Sequence, residues 1–90
     1  MGLQVEKLPV YNGATTVDCY ANIRYLEQNK REDGKYTLSC VCLFSANSSL
    51  IQQKGLQRVS DDVFNNDWAV GYGLLKEYLD SINVSYLDVL

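Results

Sequence analysis

The chain has 90 residues, 47% of them hydrophobic and 21% charged, with a net charge of −3 and no histidine; this length holds one domain with a small core. No run of Lys or Arg is longer than Lys30-Arg31, which disfavours a nucleic-acid binder, since that class needs a basic footprint against phosphates. The lack of histidine removes the usual general base, metal ligand and pH switch, and no stretch approaches the roughly 18 to 20 apolar residues that cross a bilayer.

The opening MGLQVE has Glu6 where a myristoylation pattern wants Ser or Thr, and it lacks the apolar run of a signal peptide. A soluble cytoplasmic product is the expectation. Residues 1–13 read as an N-terminal segment, a short strand broken by Pro9 and closed by Asn12-Gly13. From 15 to 28 the pattern alternates: Val17, Cys19, Ala21, Ile23 and Tyr25 point one way, and Thr16, Asp18, Asn22, Arg24 and Gln28 the other. That period of two predicts a half-buried strand. Asp33-Gly34 then suits a hairpin turn. A second strand over 36–45 puts Tyr36, Leu38, Cys40, Cys42 and Phe44 on its apolar side. Two registers keep the apolar rows on one face: a tight Asp33-Gly34 turn pairing Tyr25 with Cys42, or a looser loop centred nearer Arg31.

ANSSLIQQKG reads as a polar excursion carrying Leu50-Ile51, and LQRVSDDVF as a third strand, so the sheet occupies 15–64. A helix over 67–82 starts at a cap, Asn66 or Asp67. At helical spacing Trp68, Tyr72, Leu75, Leu79 and Ile82 share one side, and Gly73, Lys76, Glu77 and Asp80 the other. Gly71 lies on the apolar side, where a missing side chain permits close approach to the sheet. Gly73 lies among polar residues, where packing within one chain gives it no purpose. Residues 83–90 form a C-terminal tail.

Cys19, Cys40 and Cys42 fall on apolar strand rows and predict buried, reduced, metal-free thiols. A structural zinc site wants four ligands, and no histidine is present to activate a cysteine nucleophile. Acidic pairs such as Asp61-Asp62 read as solvated turns. No cofactor, metal site or catalytic residue is predicted. Tyr25, Tyr36 and Tyr72 sit in core registers, whereas Tyr11, Tyr20 and Tyr86 fit either core or interface.

One helix covers one face of a sheet. The other face would carry Tyr20, Leu26, Val41 and Leu43, and the tail adds Tyr86, Leu87, Val89 and Leu90. Apolar surface on that scale marks a contact site. With Gly73, these residues form the predicted interface, its partners other protein subunits, and neither nucleic acid nor membrane.

The strand YTLSCVCLFSA, a variable insertion, a short third strand and the helix WAVGYGLLKEYL (aromatic, Ala, small, aromatic, then Leu-Lys) follow in that order. In this the chain, over about 15–79, resembles small proteins encoded among bacteriophage tail and neck genes. The resemblance implies a virion structural role with no catalytic residues, as a repeated subunit of a tail, baseplate or connector. The expectation is therefore an α+β domain, an antiparallel sheet of three to four strands with one C-terminal helix packed on one face. It would act as a homo-oligomer or beside neighbouring virion proteins, and not as an enzyme. The alternative is a small cytosolic binding protein that regulates a host or phage protein.

Overall fold

A computed structural model describes residues 2–10 and 13–89. These residues form an antiparallel sheet crossed on one face by one C-terminal helix, the expected α+β arrangement. The strands number five, not three or four: β1 (Gly2–Val10), β2 (Thr15–Lys30), β3 (Tyr36–Ala46), β4 (Ser49–Ser60) and β5 (Ser85–Val89). Helix α1 (Asp67–Ser81) lies between β4 and β5 in the chain, and the strands are ordered β4-β3-β2-β1-β5.

The unexpected strand is β5, from the C-terminal tail, and the expected N-terminal strand β1 runs on through Pro9. Pro9 does not break β1, because β5 pairs only with residues 2–6 and Pro9 lies beyond that overlap, where β1 is locally an edge. The tail is not a free segment. At the end of α1, Asn83 takes a left-handed conformation (φ 57°) and donates its N–H to the Asp80 carbonyl at 3.1 Å, while the Val84 N–H reaches Leu79 O at 3.0 Å. This C-cap satisfies carbonyls that the helix leaves open. It also turns the chain back, so that Val84 is buried and β5 pairs with β1.

Three bulges set which residues face the helix. In β1, Glu6 and Lys7 together oppose Asp18; Lys7 has φ 55°, and its N–H donates to Asp18 Oδ1 at 2.9 Å. In β2 the extra residue is Arg24: Ile23 pairs with Cys42, Tyr25 with Val41 and Leu26 with Cys40. Neither expected register occurs, because an added residue reverses the alternation beyond it. Leu26 therefore turns inward against the core, and Tyr25, expected inside, is half exposed. In β4 the extra residue is Ile51.

The stretch read as a polar excursion is a tight hairpin. Asn47 and Ser48 both have positive φ (51° and 64°), and Ala46 pairs with Ser49 across them. A two-residue turn of that shape matches the twist of the flanking strands. The β2–β3 loop spans residues 31–35, with Gly34 at φ 84° and the Arg31 N–H on the Lys35 carbonyl at 2.7 Å.

Leu3, Val5, Leu8, Cys19, Ala21, Ile23, Cys42 and Phe44 line the covered face, and Leu74, Leu75 and Leu79 meet them from α1. Asn66 is the N-cap, its Oδ1 accepting from the Ala69 N–H at 3.4 Å. A Cβ on Gly71 would stand 2.9 Å from Ile23 Cδ1 and 3.1 Å from Leu26 Cδ1, so α1 does approach the sheet through that glycine.

Candidate functional site

Among the described residues, no element covers the sheet face turned away from α1. Directly opposed residues of antiparallel strands share a face, so the registers define its rows. One row runs Leu50, Ser45, Tyr20, Gln4, Leu87; the next holds Gln53, Leu43, Asn22 and Val89; the third holds Gly55, Val41 and Tyr25. Tyr25 is 50% exposed, Leu50 58% and Leu87 65%. The middle of the face, from Tyr20 to Val41, is apolar or neutral, with Arg24 at the bulge and Glu27 a row further out. The Tyr20 phenol lies where a side chain on Gly2 would stand.

Of the expected interface residues, Tyr20, Val41, Leu43, Leu87 and Val89 come together here. Leu26 does not, for the reason given by the Arg24 bulge. Tyr86 does not either: it alternates with Leu87 onto the helix side, packs against the core and donates its hydroxyl to Asp80 Oδ2 at 3.3 Å. Gly73 is on α1, away from the sheet, with open space around it. Leu90, like Tyr11 and Asn12, lies outside the described residues. Tyr25, Leu50 and Val59 belong to the face but were not expected there. The signal for Tyr25 is the spacing from Ile23 to Leu26: two core aliphatics three apart in a strand demand an extra residue between them.

The polar flank of α1, in contrast, is satisfied within the chain. Lys76 Nζ is 2.8 Å from Asp88 Oδ1, Arg58 pairs with Glu77, and Lys54 Nζ lies 5.2 Å from the centre of the Tyr78 ring. The hydrogen bond and charge of Asp88 raise the Lys76 pKa above the ordinary lysine value. A groove of about 310 Å³ between the start of α1 and the β1–β5 end is lined by Trp68, Tyr72, Lys76 and Asp88 among others. Its two charged side chains already neutralise each other.

Cys19, Cys40 and Cys42 are buried free thiols. A hydrogen bond from Cys42 lowers the Cys40 pKa, and the same bond, with burial, pushes that of Cys42 far up. Their enclosure fits packing, and among the described residues no three His, Cys, Asp or Glu side chains converge to hold a metal ion. No described helix is long and apolar enough to cross a membrane. Compared with protein-family models, curated proteins and solved structures, the chain matches none.

Proposed function

We propose that the chain is a multi-copy structural subunit that acts by binding further copies of itself or neighbouring proteins. The observation that carries this reading is the uncovered sheet face, with Tyr20, Leu43, Val41 and Tyr25 adjacent across β2 and β3. In a chain this small, an aromatic and aliphatic centre, charged only at the Arg24 bulge, is costly to leave in water and gains by being covered. The resemblance to phage tail and neck proteins supports a place in a virion, in a tail, baseplate or connector, assembled in the host cytoplasm. Catalysis is no part of the proposal, nor is nucleic acid or membrane binding.

Leu43→Glu tests it. A carboxylate at the centre of the face would remain solvated in a monomer but would be buried unpaired in an assembly. Native mass measured across micromolar concentrations should show wild-type oligomers and loss of the largest species in the variant, with unchanged circular dichroism. A wild-type chain that stays monomeric and instead binds one host protein through this face would replace assembly with the regulatory reading.

A further inference from the structure

We propose that β4 is a second assembly surface, where the chain pairs edge to edge and antiparallel with a second copy of itself, centred on Gly55. The inference rests on the reading of the chain as a multi-copy subunit and adds a contact distinct from the open face. β4 is an outermost strand and runs Ser49–Ser60, whereas the opposite edge, β5, spans only Ser85–Val89. An outermost strand carries backbone N–H and C=O groups that a further strand can satisfy. Beyond the Ile51 bulge, residues 52–60 run opposite β3 without another shift, and no proline interrupts them. A β5 partner would leave more than half of β4 unpaired. A second β4 matches it in length.

Symmetry and charge then select the register. A twofold axis normal to the sheet relates two antiparallel copies of one strand and keeps both helices on the same side. Opposed residues share a face, so the axis must pass through a residue position and not between two. Toward the helix side β4 carries Lys54 and Arg58, opposite Cys42 and Leu38 of β3. Centring on Lys54 opposes two lysines; centring on Leu56 sets Lys54 against Arg58 twice. Like charges directly opposed destabilise a pair of strands. Centring on Gln53 pairs only residues 52–54 short of the bulge, and centring on Gln57 brings two glutamine side chains to the axis where Gly55 brings none. Centring on Gly55 sets Lys54 against Leu56, Arg58 against Gln52 and Gln53 against Gln57, and it uses residues 52–58, the regular stretch short of the Ile51 bulge. Gly55 is exposed with nothing near its Cβ position, so two backbones can meet at the axis there.

The test uses the full chain with charges at the opposed positions. Gln52→Lys, on the helix side and away from the open face, sets lysine against Arg58 twice across the axis; Gln52→Glu sets opposite charges. Within one chain Gln52 and Arg58 are about 20 Å apart, so folding distinguishes the two variants little. By sedimentation equilibrium, the first should lose the edge contact by about tenfold in affinity relative to the second. In a separate arm, a short bismaleimide should join Gly55→Cys chains in pairs. It should not join Val59→Cys chains, whose labelled positions would stand about 27 Å apart. Equal association of the two charge variants, or linkage at Val59 but not at Gly55, would overturn the edge contact. If Leu43→Glu breaks the assembly while the edge variants and cross-links are silent, the edge contact falls and the open-face reading stands. If the edge responds and Leu43→Glu does not, the reverse holds, and a wild-type monomer at every concentration overturns both.

Discussion

Gly71 and Gly73 stand two residues apart in α1, and their surroundings give them opposite roles. Gly71 lets the helix touch Ile23 and Leu26, so Gly71→Leu should overpack that contact and cost about 1 to 3 kcal/mol in chemical denaturation. At Gly73 an added methyl meets nothing within the chain, and Gly73→Ala should stabilise by about 0.5 to 1 kcal/mol through helix propensity and a less flexible unfolded state. If a neighbouring subunit approaches there, the same variant should assemble poorly; one both more stable and fully assembly-competent would show that the glycine is merely tolerated. Lys76 carries a pH dependence. Its pKa is raised in the fold by the Asp88 hydrogen bond and charge, so its contribution is complete below the unfolded lysine value of roughly 10.4 and is lost as pH rises through the higher folded value. The difference in urea midpoint between wild type and Asp88→Asn should therefore be present at neutral pH and vanish in the strongly alkaline range. A difference that persists there would assign the effect of Asp88 to something other than the ion pair.

Among the elements, β5 reverses the expectation for the tail. It pairs with residues 2–6 of β1 and brings Tyr86 against the core, so truncation after Val84 should lower the melting temperature before it affects assembly. A truncated chain that melts like wild type would place β5 outside the cooperative fold. The loop between β4 and α1 depends on one side chain: the Phe64 N–H donates to Gln28 Oε1 at 2.7 Å, and Gln28 Nε2 donates to the Phe64 carbonyl at 3.2 Å. Gln28→Ala leaves both partly buried backbone groups unpaired and should cost about 1 to 3 kcal/mol in a denaturant titration; wild-type stability would mean that water replaces the amide. The two central strands, the helix with its cap and the inward Gly71 were legible in the sequence because period and capping chemistry are local. The bulge at Arg24 was not, since it reconciles Ile23 and Leu26 with one core only once the partner strand is known. The Asn47-Ser48 turn lacks the glycine that usually signals positive φ. Strands β1 and β5 pair the two ends of the chain, and neither alone shows a partner. The open face was therefore legible in Tyr20, Val41 and Leu43 but lost Tyr25 to the hidden bulge.

At the scale of the molecule, the chain is broader than its length requires. Its radius of gyration is 14.0 Å and its extents are 42 × 28 × 21 Å, against about 12 Å for a compact chain of this size. A helix of 15 residues is only about 22 Å long, so it shields part of one face and none of the other. Neither the open face nor the β4 edge is an accident of one side chain: both follow from five strands being served by one helix. They also point in perpendicular directions, one normal to the sheet and one within its plane, and Gln52 stands on the helix side, so contacts probed there and at Leu43 should be energetically independent, as separated sites are. Leu43→Glu alone should then leave an edge-paired dimer of roughly twice the 10.2 kDa chain mass. Gln52→Lys should leave only species joined through the face, and the double variant should be a folded monomer. Native mass spectrometry of the three chains at equal concentration reads this directly. Independence requires that the loss in association free energy of the double variant equal the sum of the other two within about 0.5 kcal/mol. If Leu43→Glu by itself yields monomer, the face and the edge belong to one continuous contact, and the copies meet at a corner of the sheet.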